Sequence, residues 1–156
     1  MALVDADCKL LWIDVGSDGS GNDASIYNGS ELKEGLEIPN NPFHLPEDKP
    51  LPGDEVPVPY LIIGDNAFGI NETLMNPFSI RYMDYYERIF NYRLSRARRI
   101  AEKAFAILAH KFRVLLITMN QRPKTCRKII ETCVIPQNLI RLRYPATHND
   151  LVNLVD

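Results

Sequence analysis

The strongest pattern in the chain is a stripe of apolar residues at helical spacing in its second half. Its members are Ala97, Ile100, Ala101, Ala104, Phe105, Leu108 and Phe112. Such a stripe is typical of a long helix that packs one face against another element. We therefore predict a helix from Arg93 to His110, and the rest of the fold must supply a surface for it.

Short strand-like segments supply that surface. Met1–Val15 predicts an antiparallel hairpin that turns at Asp5–Asp7. In the returning strand, Leu11, Ile13 and Val15 share one face, so we expect this face to be the buried one of a half-buried strand. A second apolar segment, Pro59–Gly64, predicts a buried strand.

Further elements alternate with these strands. A loop rich in turn formers precedes a predicted helix over 24–36, which Asn22 or Asp23 can cap. Downstream we predict, in order, a short helix over 71–75, a strand over 114–118 and a last helix over 123–134. The alternation indicates an α/β fold.

The length of 156 residues, 46% of them hydrophobic, fits one domain with a real core. We place this domain at 1–140 and a polar C-terminal tail at 141–156. Between 39 and 59 the chain is acidic and rich in proline, so little regular structure is expected there. This loop is either a lid or an inserted surface excursion, and we favour the excursion.

The net charge of −2 conceals a strong asymmetry. Residues 1–80 carry 14 Asp/Glu and 3 Lys/Arg, a balance of −11, whereas residues 81–156 carry 6 and 15, a balance of +9. The second half is therefore a candidate surface for polyanions. The alternative is that the two halves attract each other within the fold.

The three cysteines, Cys8, Cys126 and Cys133, show no pairing pattern, which indicates a reducing compartment. We expect Cys126 and Cys133 to be core thiols of the last helix. The sequence shows no signal peptide and no membrane-spanning apolar segment. Location in the nucleus or the cytoplasm follows as an expectation.

Two carboxylates lie in settings that suit metal chemistry. Asp65 directly follows the strand pattern Tyr60–Gly64, and Glu102 lies within the long basic helix. Together they are candidate ligands of a divalent cation, Mg²⁺ or Mn²⁺, because hard oxygen ligands suit both ions. Each also has an ordinary interpretation: Asp65 as a turn former or helix cap, and Glu102 as the partner of Arg98 in an i,i+4 pair.

The helix that carries Glu102 is rich in basic residues, and those that face outward can contact phosphates without reading the base sequence. The tentative nucleic-acid contacts are Arg93, Arg96, Arg98, Arg99 and Lys103. Three tyrosines, Tyr85, Tyr86 and Tyr92, interleave with this segment. The alternative is a solvated helix with aromatic packing at its start.

The most specific segment of the chain is the decapeptide Phe90-Asn91-Tyr92-Arg93-Leu94-Ser95-Arg96-Ala97-Arg98-Arg99, which follows Arg88-Ile89 and is followed by Glu102. Further segments of the same pattern are 2–7, 15–16, 22–25, 28–32, 52–54, 59–68, 101–105 and 112–115. Together these segments resemble the endonuclease domain of PIF/Harbinger transposases, a DDE superfamily, and of the host proteins derived from them. Their order and spacing hold over about residues 2–140.

This resemblance implies an RNase H-like fold, a mixed sheet with flanking helices, and two-metal cleavage of DNA phosphodiester bonds. It implies that Asp65 is the second catalytic aspartate and metal ligand, and that Glu102 is the catalytic glutamate and metal ligand. Asp23 matches an aspartate to which we give a structural role. A separate DNA-binding protein can act as partner in such systems, and no membrane is implied.

The chain also departs from the family pattern. It begins on what resembles the second strand, so the first strand and the first catalytic aspartate are absent from it. Where the family tends to show Leu-His-Asn, this chain has Ile135-Pro136-Gln137-Asn138. We therefore expect a metal-dependent nuclease domain with impaired cleavage. The alternative is an inactive, domesticated remnant that binds DNA or a protein.

Overall fold

The computed structural model describes residues 1–17, 21–38, 43 and 45–145. The elements are β1 (Ala2–Val4), β2 (Leu10–Ile13), α1 (Asp23–Asn28), α2 (Glu31–Glu37), β3 (Lys49–Pro50), β4 (Pro57–Val58), β5 (Ile62–Ile63), β6 (Leu74–Met75), α3 (Tyr85–Lys111), a 3-10 helix (Arg113–Leu116) and α4 (Pro123–Arg143). This mixture of strands and helices confirms the α/β class. Over the described ranges the strands pair two by two, and the RNase H-like mixed sheet lacking its first strand stays a prediction.

The chain divides into two compact units. The first combines residues 1–19 with 99–156, and the second is residues 20–98. Helix α3 contributes residues to both units. The predicted domain limits at 1–140 and 141–156 stay a prediction, and residues 146–156 lie outside the described part of the chain.

The first unit contains the predicted hairpin. Strands β1 and β2 pair in antiparallel fashion, with Ala2 opposite Ile13 and Val4 opposite Leu10. The register shifts between these pairs, so one residue of β2, Leu11, has no partner in β1. A bulge of this kind reverses the alternation of faces along a strand.

The bulge corrects one prediction about the core. Leu11 is 61% exposed, whereas Leu10 is buried. Because the bulge inserts one residue, Leu10 and Ile13 lie on the same face and both join the core. Of the three residues expected on the buried face, Leu11 is therefore exposed, whereas Ile13 packs against the core.

Helix α4 closes this core. Its Cys133 and Val134 cluster with Leu10 and with Leu108 of α3. The sequence predicted this helix only as far as residue 134, but it continues through Pro136 to Arg143. Packing of its apolar face outweighs the backbone hydrogen bond that a proline removes from a helix interior.

The core thiol prediction holds for Cys133, which is buried, whereas Cys126 is only half-buried. The predicted strand over 114–118 is wrong, because Arg113–Leu116 forms a 3-10 turn instead. Its apolar residues are partly or largely exposed, and no described strand pairs with the segment.

In the second unit, the predicted helix over 24–36 is two helices. Asn22 caps α1 by accepting a hydrogen bond from the Ser25 amide at 2.8 Å, as the sequence suggested. The break falls at Gly29-Ser30, where Ser30 accepts from the Lys33 amide at 3.2 Å and caps α2. A weak helix former followed by a strong cap starts a new helix.

The proline-rich segment contains more structure than predicted. Strands β3 and β4 form a two-residue antiparallel ladder within it. Of the predicted loop, residues 39–42 and 44 lie outside the described part of the chain. Whether the segment acts as a lid or an excursion stays a prediction.

The next strand is shorter than predicted. Only Ile62–Ile63 form β5, and Ile63 is 41% exposed. It pairs in parallel with Leu74–Met75, so the short helix predicted over 71–75 is wrong. The Ile62 amide donates to Thr73 and the Gly64 amide to Met75, both at 2.8 Å, and this pairing fixes the segment as a strand.

Helix α3 confirms the main prediction and begins earlier than expected. Asp84 and Glu87 form a reciprocal cap, in which each backbone amide donates to the other's carboxylate at 2.9 and 2.8 Å. Such a capping box satisfies amides that the first helical turn leaves free. In the part of the chain that the structure describes, none of the helices combines the length and the hydrophobicity of a membrane-spanning segment.

Candidate functional site

The turn that follows β5 positions Asp65. Gly64 is buried there, and a side chain at its position would approach the Phe68 ring to 3.0 Å and the Leu74 side chain to 3.1 Å. Phe68 in turn packs edge-on against Tyr27, with ring centroids 5.6 Å apart. A side chain at this position would have to push these neighbours back by a few tenths of an ångström, so the close approach favours glycine.

The carboxylate of Asp65 is engaged on both oxygens. Its Oδ1 accepts a hydrogen bond from the Ala67 amide at 2.8 Å, and its backbone carbonyl accepts from the Phe68 amide at 3.2 Å. Its Oδ2 lies 3.4 Å from Nη2 of Arg98. Asp65 is therefore a turn former and also an ion-pair partner of α3.

Arg98 reaches Asp65 because of its position on the helix. It lies one turn after Leu94, which is only 5% exposed, and residues four apart share a helix face. The side chains of Arg98 and Asp65 keep 35% and 37% of their exposure. A pair this open to solvent contributes about 0.2–1 kcal/mol at most.

Glu102 is an exposed residue of α3 in the first unit, whereas Asp65 belongs to the second. The ion pair that the structure shows for Arg98 is with Asp65, not the i,i+4 pair with Glu102 that the sequence suggested. Joint action of Asp65 and Glu102 as catalytic residues and metal ligands stays a prediction.

We tested whether the side chains present fit a divalent cation. Within 1–17, 21–38, 43 and 45–145, no three His, Cys, Asp or Glu side chains come together as a metal-binding group. Asp65 already uses its oxygens for the Ala67 amide and for Arg98. These residues therefore do not form a complete metal site by themselves.

The five predicted phosphate contacts differ in their surroundings. Arg93, Arg96 and Arg99 are exposed, and the Arg96 guanidinium lies over the Tyr92 ring, 5.9 Å from its centroid. Arg98 is engaged with Asp65, and Lys103 is half-buried. The exposed three have the accessibility that phosphate contact requires; whether any of the five binds nucleic acid stays a prediction.

Titration behaviour in the first unit reflects burial near basic groups. Burial raises the pKa of the Cys8 thiol, and the nearby cations Arg141 and Lys103 partly oppose this shift. Burial, together with Arg141, lowers the pKa of Lys111.

Sequence reasoning missed one polar contact that shapes the first unit. The Asn138 side chain accepts from the Leu10 amide at 2.9 Å and donates to the Leu10 carbonyl at 2.8 Å. It thus bonds β2 as a neighbouring strand would. The only signal was the asparagine in the Leu-His-Asn comparison, because a contact spanning 128 positions leaves no local pattern.

Comparison with known families decides the assignment. Residues 1–138 match the family described as DDE superfamily endonuclease. The chain belongs to this family. No curated protein and no solved structure matches it significantly. Membership in the DDE superfamily endonucleases identifies a nuclease-derived domain, and it confirms the resemblance at superfamily level.

Proposed function

We propose that this chain is a DDE endonuclease domain of PIF/Harbinger type that binds DNA through exposed arginines of α3. In this proposal Asp65 and Glu102 are two of the carboxylates that serve phosphodiester cleavage. The observation that carries it is the exposure of Arg93, Arg96 and Arg99 on α3, in a chain whose residues 1–138 match the DDE superfamily endonucleases.

Cleavage in this family depends on divalent metal, and Mg²⁺ or Mn²⁺ would stabilise charge on the transferring phosphate. The described residues do not complete such a site. We also propose that cleavage by this chain is impaired, because both oxygens of Asp65 are already engaged. What its own residues do is hold the Asp65 carboxylate in a fixed turn and present Arg93, Arg96 and Arg99 to solvent.

A second candidate is an inactive, domesticated remnant that binds DNA or a protein partner. The engagement of both Asp65 oxygens favours it, because a cation would have to compete with the Arg98 guanidinium and the Ala67 amide. Either function fits our proposal of a nuclear or cytoplasmic location and of a separate DNA-binding partner.

Nicking of supercoiled plasmid, titrated with Mg²⁺ and with Mn²⁺, separates the two candidates. Under the nuclease proposal Asp65→Asn and Glu102→Gln each abolish any nicking. Asp65→Asn keeps a side-chain oxygen that can accept the hydrogen bond from the Ala67 amide. A loss of activity in this variant would therefore not reflect a loss of the fold. Glu131→Gln is the matched control, because Glu131 is another exposed helical glutamate. Nicking that survives both variants would come from a contaminant or from another site, whereas binding without nicking supports the remnant.

DNA binding by the arginines has its own test. Arg93→Ala and Arg99→Ala should each lower the slope of log affinity against log salt by about one on duplex DNA. Arg122→Ala is the control, because it replaces an exposed arginine outside α3. Equal slopes for all these proteins would contradict phosphate contact by α3.

A further inference from the structure

Four tyrosines around the start of α3 are largely exposed. Tyr82 is 100% exposed, Tyr86 77%, Tyr85 71% and Tyr92 62%. Single exposed aromatic residues are common on protein surfaces, but a run of four within eleven positions is a concentration of aromatic area. All four belong to the second unit.

Helix geometry aligns part of this group with an arginine. Tyr85, Tyr92 and Arg96 have i, i+7, i+11 spacing, so they fall within about 40° of one another around the helix. The Arg96 guanidinium lies over the Tyr92 ring at 5.9 Å, and the Tyr85 and Tyr86 rings meet edge-on at 5.7 Å. We call Tyr82, Tyr85, Tyr86, Tyr92 and Arg96 the tyrosine–arginine strip.

The backbone at Tyr82 is unusual as well. Its φ of +63° lies in the left-handed region, which disfavours bulky side chains. Its full exposure means that packing of the ring within the chain does not offset this strain. Strained residues that the fold retains are concentrated at functional positions.

The charge around the strip favours an anionic ligand. Arg81, Arg88 and Arg93 are exposed beside it. The acidic residues of the same stretch, Asp84 and Glu87, already accept hydrogen bonds from each other's amides in the helix cap. Over 81–96 the chain has four arginines and only these two carboxylates, so the stretch carries a net charge of +2.

We propose that the tyrosine–arginine strip binds unpaired nucleotides of DNA. Bases stack on the tyrosine rings, and the arginines face the phosphates between them. Flat aromatic rings accept any base, so this binding has little sequence preference. The inference rests on DNA as the substrate of the domain and adds that the strand it holds here is unpaired.

Fluorescence anisotropy of the full chain with a labelled single strand tests this inference. The measurement is made in EDTA, so failure of metal-dependent cleavage cannot affect it. Tyr85→Leu and Tyr92→Leu should each weaken binding at least about fivefold, because each stacked base contributes substantially. Tyr85→Phe and Tyr92→Phe keep the ring and should remain within about twofold of the parent.

Two comparisons make the result specific. An abasic strand with the same phosphates should bind parent and Leu variants alike, because it offers no base to stack. Tyr144→Leu is the control variant: Tyr144 is 63% exposed and lies under Arg143 at 5.8 Å, but it is outside the strip. It should bind the base-containing strand like the parent.

Three results would overturn the inference. One is equal affinity of the Tyr→Leu variants and the parent for the base-containing strand. Another is an equal loss of affinity of these variants for the abasic strand, which would mean that the tyrosines do not act by stacking on bases. The third is unchanged DNA affinity combined with loss of self-association in sedimentation, which would make the strip a protein contact.

Discussion

Two adjacent amides in α4 should respond to mutation in opposite directions. Asn138 forms two hydrogen bonds with the Leu10 backbone, at 2.9 and 2.8 Å. Gln137 is fully buried, and neither of its side-chain amide atoms has a hydrogen-bond partner among the described residues. One amide therefore stabilises the first unit, and its neighbour costs stability.

The magnitudes follow from hydrogen-bond energetics. Asn138→Ala removes two bonds, each with a net contribution of about 0.5–1.5 kcal/mol, and leaves the amide and the carbonyl of Leu10 without this partner. We expect a loss of about 2–3 kcal/mol in the free energy of unfolding. Gln137→Met keeps a similar volume and removes two unsatisfied buried atoms, so we expect a gain of about 1–3 kcal/mol.

Urea unfolding followed by tryptophan fluorescence measures both changes. Trp12 is the single tryptophan of the chain, and it lies in β2, two positions from Leu10. The signal therefore reports on the unit that the mutations affect. Leu139→Ala serves as control, because Leu139 is 60% exposed on the same helix and should change stability by about 0.5 kcal/mol or less.

The reasoning fails if Asn138→Ala costs no more than Leu139→Ala, since the two bonds would then contribute nothing measurable. It also fails if Gln137→Met destabilises, since the buried amide would then have a partner such as bound water. A change in the urea dependence of the unfolding free energy would mean instead that the extent of unfolding had changed.

Three further predictions concern single contacts. Disrupting the ion pair with Arg98→Ala or Asp65→Asn should change the free energy of unfolding by about 1 kcal/mol or less, because both groups are over a third exposed. In a double-mutant cycle, the coupling energy between the two residues should fall as salt is added. A larger coupling energy that does not depend on salt would contradict the geometry. Asp84→Ala removes one side of the α3 cap and should cost about 1 kcal/mol, seen as faster amide exchange at the helix start; unchanged exchange would count against the cap. Burial raises the pKa of the Cys8 thiol above its usual 9.0. The contribution of the neutral thiol to the free energy of unfolding is therefore fully present below pH 9.0 and is lost as the pH rises through the folded-state pKa. A thiol reagent should modify Cys126 before Cys8, and equal rates would refute the protection of Cys8 by burial.

The local patterns of the sequence were sufficient for several elements. The apolar stripe predicted α3, the hairpin turn was placed at Asp5–Asp7, and Asn22 caps α1 as expected. These features depend on residues within a few positions of each other, where propensity and capping act directly. The α/β class follows from their order along the chain.

Longer-range pairing explains most of the errors. Leu74–Met75 becomes a strand only because β5 lies alongside it, and a parallel partner leaves no signal in a five-residue window. The bulge at Leu11 depends on register with β1. The extension of α4 through Pro136 depends on core packing, which propensity scales do not include.

The candidate site shows the same division between local and distant effects. The position of Asp65 after a strand was readable from the sequence, and so was its capacity to form a turn. Its ion pair with Arg98 was not, because helical spacing made Glu102 the nearest acidic partner for that arginine. The structure favours Asp65 because Arg98 follows Leu94 on the buried side of α3, which directs the guanidinium toward the β5 turn. A cation that binds Asp65 must therefore displace Arg98 or share the carboxylate with it. If the carboxylate is a metal ligand, the metal affinity should rise in Arg98→Ala.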